Sequence, residues 1–432
     1  MSGWFGMLPE QWKIFKINEL FTERREKVSD KEYAPLSVSK GGIVLQISTV
    51  AKTNAGDNRK RVCIGDFVIN SRSDRRGSSG VSKYDGSVSL INIVLSLREQ
   101  HNPRYFHYLL RNHAFIEEYY RYGRGIVADL WTTRYTEMKT IYLPLPPRAE
   151  QDQIVGYLNW KVLLINRLIA AKQRQIALLA KQKQAIINNA VTRGNDGWRY
   201  TRLINLVASV KAGSWGEDEN GNGVNLACIR VADFDFERLR VKNTTYTIRN
   251  YSQNVIDKLL LSKNDILIEK SGGGDKQPVG RVVLFDKDSP ALYANFIEAI
   301  RSNENVNAVF LVYLFAAMYY NKRNRLYFNQ TTGIQNLDVK GYLRESVSIP
   351  PLTEQHKIVA YLDEKCAAID RLIVKLSNEI TLFTEYRARL ISDVVTGKLD
   401  VRAVAIPKHE MAEESITADN DESFNSENIT ED

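Results

Sequence analysis

The chain has 432 residues, 44% of them hydrophobic, which is too long for one ordinary domain and apolar enough for two or three cores. Its formal net charge of +8 understates its basicity, because residues 410–432 carry nine Asp or Glu and no Lys or Arg, and the rest of the chain therefore carries +17. Such a surplus favours a polyanionic partner, nucleic acid first, since each neutralised phosphate releases counterions. A basic surface that only keeps the protein soluble is the alternative.

Membrane insertion and secretion find little support. The most apolar stretch, residues 308–320, is shorter than the roughly 20 residues that span a bilayer and predicts a buried helix. Residues 1–13 lack the basic start, apolar core and small-residue cleavage site of a signal peptide. We therefore expect the protein to remain in the cytoplasm.

The cysteines and histidines form no metal or disulfide pattern. Cys63, Cys228 and Cys366 are far apart, odd in number and form no CxxC pair. His107 and His113 lie on one predicted helix, but a spacing of six does not place them on one face. We predict neither a zinc site nor a disulfide framework.

Residues 1–149 predict an α/β domain. After the opening pair Trp12-Lys13, a Gly65-Asp66 turn leads into an apolar strand. A basic, glycine-containing loop, SRSDRRGSSG, begins at Ser71, and an apolar helix follows at residues 105–120. The loop is the first candidate for contact with nucleic acid.

Residues 150–193 predict a long helix. Pro146-Pro147 disfavours helix before this segment, and Glu150 follows where a carboxylate is favoured, in the first turn. From Ile154 to Ala190 the stripe positions recur every three or four residues, with a basic residue at Lys183. A mean spacing of about 3.5 is typical of a left-handed coiled coil. The alternative is an amphipathic face packed on its own domain.

Residues 194–352 repeat the landmarks of the first domain in the same order. Trp198-Arg199 opens the segment, Asn264-Asp265 precedes an apolar strand, and the loop EKSGGGDKQ begins at Glu269. That loop lacks the GxxxxGK[ST] spacing of a phosphate-binding loop. Because the sequences between landmarks differ widely, we infer one fold used twice with two different surfaces.

Residues 353–397 predict a second long helix that repeats the first. The segment PPRAEQDQIVGYLNWKVLLINRLI from Pro146 recurs as PPLTEQHKIVAYLDEKCAAIDRLI from Pro350, an offset of 204 residues that continues without a gap through the helix. We expect the two helices to pair with each other. The remaining residues, 398–432, form an acidic tail that we expect to be disordered.

Two variable α/β domains, each followed by PPxxEQxxI and a long helix, resemble the specificity subunit of type I restriction-modification systems. The resemblance covers about residues 5–400, and two copies of the motif at this separation are specific. It implies an α+β fold in which two similar α/β target recognition domains are separated by two long helices that form an antiparallel coiled coil. The whole would be a pseudo-twofold internal repeat.

The resemblance also implies a function and partners. In that family each target recognition domain reads one half of a bipartite, asymmetric sequence in double-stranded DNA, and the helices set the spacer. Two modification (methyltransferase) subunits and the restriction/translocase subunits are the implied protein partners. The chain itself would be non-catalytic and hold no cofactor, with S-adenosylmethionine, ATP and Mg expected only on partner subunits.

Candidate DNA contacts are basic or amide side chains in the predicted loops, because Arg pairs bidentately with guanine, Gln with adenine, and Lys more often with phosphate. They are Arg72, Arg75, Arg76, Lys83, Arg121 and Arg124 in the first domain, and Lys270, Lys276, Gln277, Arg323, Arg325, Gln330 and Gln335 in the second. For any one of them the alternative is a solvated surface charge. Candidates for partner binding and for the spacer helices are Glu150, Gln151, Ile154, Leu158, Glu354, Gln355, Ile358 and Leu362.

A self-sufficient DNA methyltransferase or nuclease is the competing class, and a structural coiled-coil scaffold is a third. An amino-methyltransferase needs an Asn/Asp-Pro-Pro-aromatic turn, but Leu145 and Ile349 precede the Pro-Pro pairs here. No cluster of carboxylates with Lys or His suggests a metal nuclease outside the acidic tail. We therefore predict no catalytic site and no metal site.

Overall fold

The structure is a computed structural model, and it describes residues 3–46, 56–98, 101–125, 131–194, 197–219, 224–274, 277–331 and 334–407. The chain divides into two compact units, one formed by residues 1–171 with 379–432 and the other by residues 172–378. Each unit therefore contains one α/β domain and half of each long helix. The sequence predicts the α/β domains and the long helices as separate parts of the chain, and that division stays a prediction. The two compact units divide the chain differently, because each includes part of both helices.

The first unit combines short helices with small antiparallel sheets. Its helices are α1 (Ile17–Leu20), α2 (Pro103–Leu109), α3 (His113–Arg121) and α4 (Tyr135–Met138), followed by the start of α5 (Arg148–Thr192). Its strands are β1 (Lys13–Lys16), β2 (Phe21–Glu23), β3 (Lys27–Val28), β4 (Leu36–Ser39), β5 (Gly42–Leu45), β6 (Arg59–Val62), β7 (Phe67–Asn70), β8 (Ser79–Val81), β9 (Gly86–Val88), β10 (Asn92–Leu97) and β11 (Tyr142–Leu145). They form a ribbon β1-β11, a sheet β2-β10-β7-β8, a sheet β3-β6-β9 and a hairpin β4-β5.

The second unit has the larger sheets. Its helices are α6 (Gln253–Leu259), α7 (Ala308–Tyr320), α8 (Val339–Tyr342) and the start of α9 (Leu352–Val395). Its strands are β12 (Arg199–Arg202), β13 (Val207–Ala212), β14 (Val224–Ile229), β15 (Phe234–Asp235), β16 (Arg240–Val241), β17 (Thr247–Tyr251), β18 (Ile266–Glu269), β19 (Ser271–Gly273), β20 (Val282–Leu284), β21 (Ala291–Tyr293), β22 (Ile297–Ser302), β23 (Phe328–Thr331), β24 (Ile334–Leu337) and β25 (Ser346–Ile349). The sheets are β12-β25, β13-β22-β18-β20-β16-β15, β17-β14-β21 and β19-β24-β23.

The two units share one topology, which confirms that a single fold is used twice. The order β2-β10-β7-β8 in the first unit matches β13-β22-β18-β20 in the second. The ribbons match in register as well, because Lys13 lies opposite Leu145 and Arg199 lies opposite Ile349. The second unit adds the hairpin β15–β16 at the edge of its main sheet.

An aspartate stabilises the turn before the central strand of each main sheet, as the sequence predicts. Asp66 accepts a hydrogen bond from the Cys63 amide at 2.8 Å, and Asp265 accepts one from the Ser262 amide at 2.8 Å. The preceding residues, Gly65 and Asn264, have φ of 89° and 75°. Glycine and asparagine tolerate this left-handed region best, which is why a Gly-Asp or Asn-Asp pair marks the turn.

Helices α2, α3 and α7 bury their apolar side chains against these sheets. In the first unit Tyr105, Phe106 and Phe115 are fully buried in the main core. In the second unit every residue from 310 to 318 of α7 is buried, which confirms that the most apolar stretch of the sequence is a core helix.

Helices α5 and α9 run antiparallel in each unit. In the first unit Arg387 of α9 donates a hydrogen bond to Asn166 of α5, and in the second unit Lys183 of α5 donates one to Asp370 of α9 at 2.6 Å. Each contact joins the earlier part of one helix to the later part of the other. The predicted stripe faces inward, because its positions from Ile154 to Ala190 and from Ile358 to Val394 are all buried or half-buried.

One described helix, α5, is long and apolar enough to cross a membrane by length and composition. Its best 18-residue window has a mean hydropathy of 1.3, and a third of that window is buried. Ile154, Leu158 and Ile165 in its first part belong to the core of the first unit. Part of the apolar character of α5 is therefore used for packing within the first unit.

The expected acidic tail begins later than the sequence indicates. Residues 398–407 pack on the first unit, where Val401 is buried and the carbonyls of Val401 and Val404 accept hydrogen bonds from the Gln153 side chain at 2.9 and 2.7 Å. These ten residues are mainly apolar or basic, which suits their packing on this unit. Residues 408–432 lie outside the described residues.

Candidate nucleic-acid interface

Two loops of the first unit that carry candidate DNA contacts lie side by side. The backbones of Arg72 and Arg124 both form antiparallel bridges with Thr132. The Arg124 amide donates to the Thr132 carbonyl at 3.0 Å, and the Ser73 amide donates to the Trp131 carbonyl at 3.0 Å. We call the residues 71–76, 121–125 and 131–132 the first loop cluster.

Arginine side chains cover the first loop cluster. Arg72, Arg75 and Arg76 are exposed, and Arg76 lies over the Tyr120 ring at 5.2 Å from its centroid while pairing with Glu117. Arg121 donates to both carboxylate oxygens of Glu118, a hydrogen-bonded pairing that raises the pKa of Arg121. Exposed ion pairs contribute little, about 0–1 kcal/mol, so these arginines can exchange a carboxylate for a phosphate or a base edge.

The Arg124 side chain is more exposed than those of Arg76 and Arg121 in the same cluster. It is 83% exposed and lies 3.8 Å from Glu137. The sequence therefore placed Arg72, Arg75, Arg76, Arg121 and Arg124 in loops that the structure brings together.

Lys83 lies apart from that cluster. It is half-buried on the turn after β8, whereas the first loop cluster lies at the opposite end of the β7–β8 hairpin. Its charge acts on His107, whose pKa is held well below its usual value by burial first and then by Arg111, Arg104 and Lys83. The Arg111 guanidinium lies 2.7 Å from the His107 ring.

The second unit builds the corresponding arrangement as a three-stranded sheet. In the order β19-β24-β23, Ser271 lies opposite Asn336, Gly273 opposite Gln335, and Gln335 opposite Gln330. This matches the order Arg72, Thr132, Arg124 in the first unit. We call residues 269–274, 277 and 323–337, where described, the second loop cluster.

The candidate side chains of the second loop cluster differ in their exposure and in their hydrogen-bond and ion-pair partners. Arg325 and Gln277 are exposed, although Gln277 accepts a hydrogen bond from Arg281 at 3.1 Å. Lys270 lies 3.4 Å from Glu298, and Arg323 is bound to Glu345. The last two therefore hold the fold together as well as adding positive charge.

The structure does not show an exposed side chain at the other three candidates of the second domain, Gln335, Gln330 and Lys276. Gln335 is only 5% exposed, and its Oε1 has no hydrogen-bond partner among the described residues. A direct base contact by Gln335 would need the surface strands to move. Gln330 lies in β23, where its backbone pairs with Gln335, and Lys276 lies outside the described residues.

The glutamates of the repeated PPxxEQ element anchor the start of each long helix to its own domain. Glu150 accepts a hydrogen bond from the Trp12 indole at 2.8 Å, and Glu354 accepts one from the Trp198 indole at 3.1 Å. The two tryptophans open the two domains in the sequence. Each glutamate therefore connects the first strand region of a domain to the helix that follows it.

The glutamines of the same element have equally matched roles. The Gln151 amide donates to the Pro146 carbonyl at 2.9 Å and accepts from the Asn102 backbone at 3.0 Å. Gln355 donates to the Pro350 carbonyl at 2.9 Å and accepts from the Asn307 backbone at 2.8 Å. Since Asn102 and Asn307 cap α2 and α7, each glutamine joins the main helix of its domain to the long helix.

The apolar candidates on the long helices also face their own unit. Ile154, Leu158 and Leu362 are buried, and Ile358 is half-buried against the core of the second unit. Together with the glutamates and glutamines they join helix to domain. Binding of a partner subunit by these side chains stays a prediction.

Sequence reasoning missed two sets of exposed apolar side chains. The first set lies on the long helices, where Leu168 and Leu372 are 47% and 50% exposed, and Leu178 and Leu382 are 65% and 64% exposed. Both pairs are separated by 204 residues, so the repeat itself could have drawn attention to them. The second set, Leu90, Ile91 and Phe296, gave no signal in sequence because its members are of different types.

No group of three or more His, Cys, Asp or Glu residues that could hold a metal ion occurs within the part of the chain that the structure describes.

Comparison with known proteins gives one family model and several relatives. Residues 233–382 match the model of the type I restriction modification DNA specificity domain. A protein of Methanocaldococcus jannaschii named the type I restriction enzyme MjaX specificity subunit is 23% identical, covering 92% of this chain and 96% of its own length. The StySPI specificity subunit of a type I restriction enzyme from Salmonella potsdam is 20% identical, covering 91% and 90%.

Solved structures have the same fold. A chain from a structure of the type I R-M system aligns with a TM-score of 0.71 at 16% identity, covering 91% of this chain and 100% of that chain. The HsdS subunit from Thermoanaerobacter tengcongensis aligns with a TM-score of 0.50 at 19% identity, covering 92% and 100%.

The chain contains a duplicated α/β domain with a loop cluster in each copy, and residues 233–382 match the model of a DNA specificity domain. The relatives that cover nine-tenths of the chain carry the same assignment. Over nine-tenths of its length the chain is similar to specificity subunits of type I restriction enzymes.

Proposed function

We propose that this chain is the sequence-specific DNA-binding subunit of a type I restriction-modification complex, and that each domain reads one half of a bipartite, asymmetric target. The observation that carries the proposal is the duplicated loop cluster, which has one backbone arrangement and two different sets of side chains. Base edges in the major groove are distinguished by side-chain type. Because the two loop clusters share a backbone arrangement but carry different side chains, they read different half-sites.

The long helices set the unread spacer in this proposal. They contain 45 and 44 residues, which corresponds to about 66–68 Å at a rise of about 1.5 Å per residue. Two domains read the same face of a duplex only when their spacing suits its repeat of about 34 Å per turn. Two continuous helices are stiff enough to fix such a spacing.

The same helices dock two methyltransferase subunits. The exposed leucine pairs Leu168 with Leu372 and Leu178 with Leu382 have nearly equal exposure in the two halves of the repeat. The exposed leucines are the same in both halves of the repeat, whereas the side chains of the two loop clusters differ. Two matching surfaces suit two identical partner subunits. The restriction/translocase subunits join the same complex, and S-adenosylmethionine, ATP and Mg bind to the partner subunits.

The chain is non-catalytic in this proposal and acts in the cytoplasm. Genome-wide mapping of methylated adenines tests it, in cells that contain the partner subunits with and without this chain. We expect methylation at one split sequence only when the chain is present. Methylation by the purified chain with S-adenosylmethionine alone, or an unchanged methylation map, would contradict the proposal.

A further inference from the structure

Each domain exposes apolar side chains on the turn between two corresponding strands. In the first unit the β9–β10 turn carries Leu90 and Ile91, which are 39% and 38% exposed. In the second unit the β21–β22 turn carries Phe296, which is 49% exposed. Single exposed apolar residues are ordinary on protein surfaces, but their recurrence on equivalent turns of two unlike domains is not expected from chance exposure.

Both turns are hydrogen-bonded to the first residues of the loop clusters. The Ile91 carbonyl accepts from the Ser71 hydroxyl at 2.5 Å. The Phe296 carbonyl accepts from the Lys270 amide at 2.9 Å and the Ser271 amide at 3.3 Å. The two turns therefore lie next to the loop clusters, at equivalent places in the two domains.

In the first unit the turn borders an open cleft of about 440 Å³. Leu90, Ile91 and Ile93 line this cleft together with the charged side chains of Arg72, Arg134, Lys60 and Glu23. Arginines beside an apolar wall suit a ligand with both phosphate and apolar base surface. They suit a purely apolar protein surface less well, because the guanidinium groups would lose water without a partner.

In the second unit the aromatic ring lies beside glycine backbone. A Cβ added at Gly272 would lie 3.8 Å from the Phe296 ring, so the ring rests in contact distance of β19. The ring therefore lies beside the second loop cluster, and Phe296 remains 49% exposed. An open aromatic ring held by a fixed backbone can pack against a base.

We propose that Leu90 with Ile91 in the first domain and Phe296 in the second are apolar DNA contacts that pack against bases of the two half-sites. This inference rests on the proposed function and names further specificity-determining residues for it. Apolar contact to thymine methyl groups or to partly unstacked bases discriminates sequence. It releases no counterions, so its contribution does not fall as salt rises in the way that a phosphate contact does.

The test uses the full chain with its methyltransferase subunits and a duplex containing the split sequence found by methylation mapping. The variant is Phe296→Ala, and the matched control is Tyr200→Ala, which removes an aromatic ring that is 76% exposed on the β12–β25 ribbon. We expect Phe296→Ala to weaken binding to the target about tenfold, which is the size of one stacking or base-edge contact. The same factor should appear at about 50 and about 200 mM salt, and binding to a scrambled duplex should not change.

A variant of the first domain keeps the test independent of folding in the second. Leu90→Ser with Ile91→Ser should reduce discrimination at the other half-site only, measured with duplexes altered in one half at a time. Thermal unfolding of each variant shows whether it folds.

Different results would contradict the proposed function and the apolar DNA contacts. If the wild-type complex does not prefer the target to the scrambled duplex, the proposed function is wrong. If it does, but folded Phe296→Ala and the Leu90/Ile91 variant both bind as the wild type, only this inference is overturned. Loss of methyltransferase binding without loss of DNA binding would also overturn it, since the turns would then be protein contacts.

Discussion

The Lys183 ammonium of α5 lies 2.6 Å from the Asp370 carboxylate of α9, and the pair 204 residues away in each helix, Arg387 and Asn166, is also hydrogen-bonded. The two contacts occupy equivalent positions of the repeat, but the first is an ion pair and the second has a neutral partner. Lys183 is 8% exposed and also donates to the Glu237 carbonyl at 2.6 Å. Lys183 therefore joins α5 both to α9 and to the loop between β15 and β16.

Removal of the carboxylate should destabilise the second unit. Asp370→Ala leaves the buried Lys183 ammonium without its counter-charge, and we expect a loss of about 1–3 kcal/mol in the free energy of unfolding. The control Glu364→Ala removes a carboxylate that is 77% exposed and lies 3.7 Å from Lys365, and it should cost about 0–1 kcal/mol. Urea unfolding measures both, and equal losses would show that the Lys183 contact adds nothing special.

His107 should make the first unit sensitive to acid. Burial and three neighbouring bases hold the pKa of His107 well below its usual value, so the folded state keeps the ring neutral while the unfolded state protonates near pH 6.5. Because the unfolded state binds the extra proton, stability should fall as pH drops below about 6.5, by at most about 1.4 kcal/mol per pH unit.

A substitution isolates the effect of that histidine. His107→Gln cannot take up a proton, so its unfolding free energy should change less than that of the wild type between about pH 7 and pH 5. The quantity to compare is the slope of the unfolding free energy against pH, measured for the wild type and for His107→Gln. Parallel pH curves for the two proteins would contradict the assignment.

Arg124 should contribute to DNA binding without supporting the fold. Its side chain is 83% exposed beside Glu137, and Arg389 on α9 is 83% exposed beside Asp393, which makes Arg389→Ala a matched control. We expect Arg124→Ala to weaken target binding about tenfold and the control to have little effect. A phosphate contact would lower the salt slope by about one, whereas a guanine contact would relax specificity at one base pair. If Arg124→Ala and Arg389→Ala bind the target equally well, Arg124 does not contact the DNA.

The duplicated leucines on the long helices should be needed for partner binding. Leu178→Gln with Leu382→Gln removes two side chains that are 65% and 64% exposed, while glutamine keeps a good helix propensity. We expect loss of co-purifying methyltransferase subunits with an unchanged melting temperature. The control Leu326→Gln, on the second loop cluster and 77% exposed, should retain them. Retention by both would place the docking surface elsewhere.

The parts of the fold that follow a strong local rule were predictable from sequence. The double proline, the acidic first turn and the period of about 3.5 predict long helices over residues 150–193 and 353–397, and the structure has helices at Arg148–Thr192 and Leu352–Val395. The Gly65-Asp66 and Asn264-Asp265 turns were found for the same reason, since a left-handed residue and a capping carboxylate restrict the choice of residue.

The rest depended on contacts between residues that are distant in sequence. Glu150 and Gln151 lie on a helix that looks available to a partner, but Trp12 and Asn102 occupy them. Gln335 stands in a polar loop sequence, yet β19 and β23 cover it on both sides. Leu90 and Phe296 share no residue type, so only the hydrogen bonds of their turns reveal that they correspond.

The most direct test of the central claim is the exchange of one domain. Residues 1–149 are replaced by the corresponding domain of a specificity subunit with a different target, and methylated adenines are mapped in cells with the partner subunits. We expect a hybrid target in which one half-site is that of the donor domain, while the other half-site and the spacer length are retained. A change in both half-sites, or a new half-site at a different spacing, would contradict it.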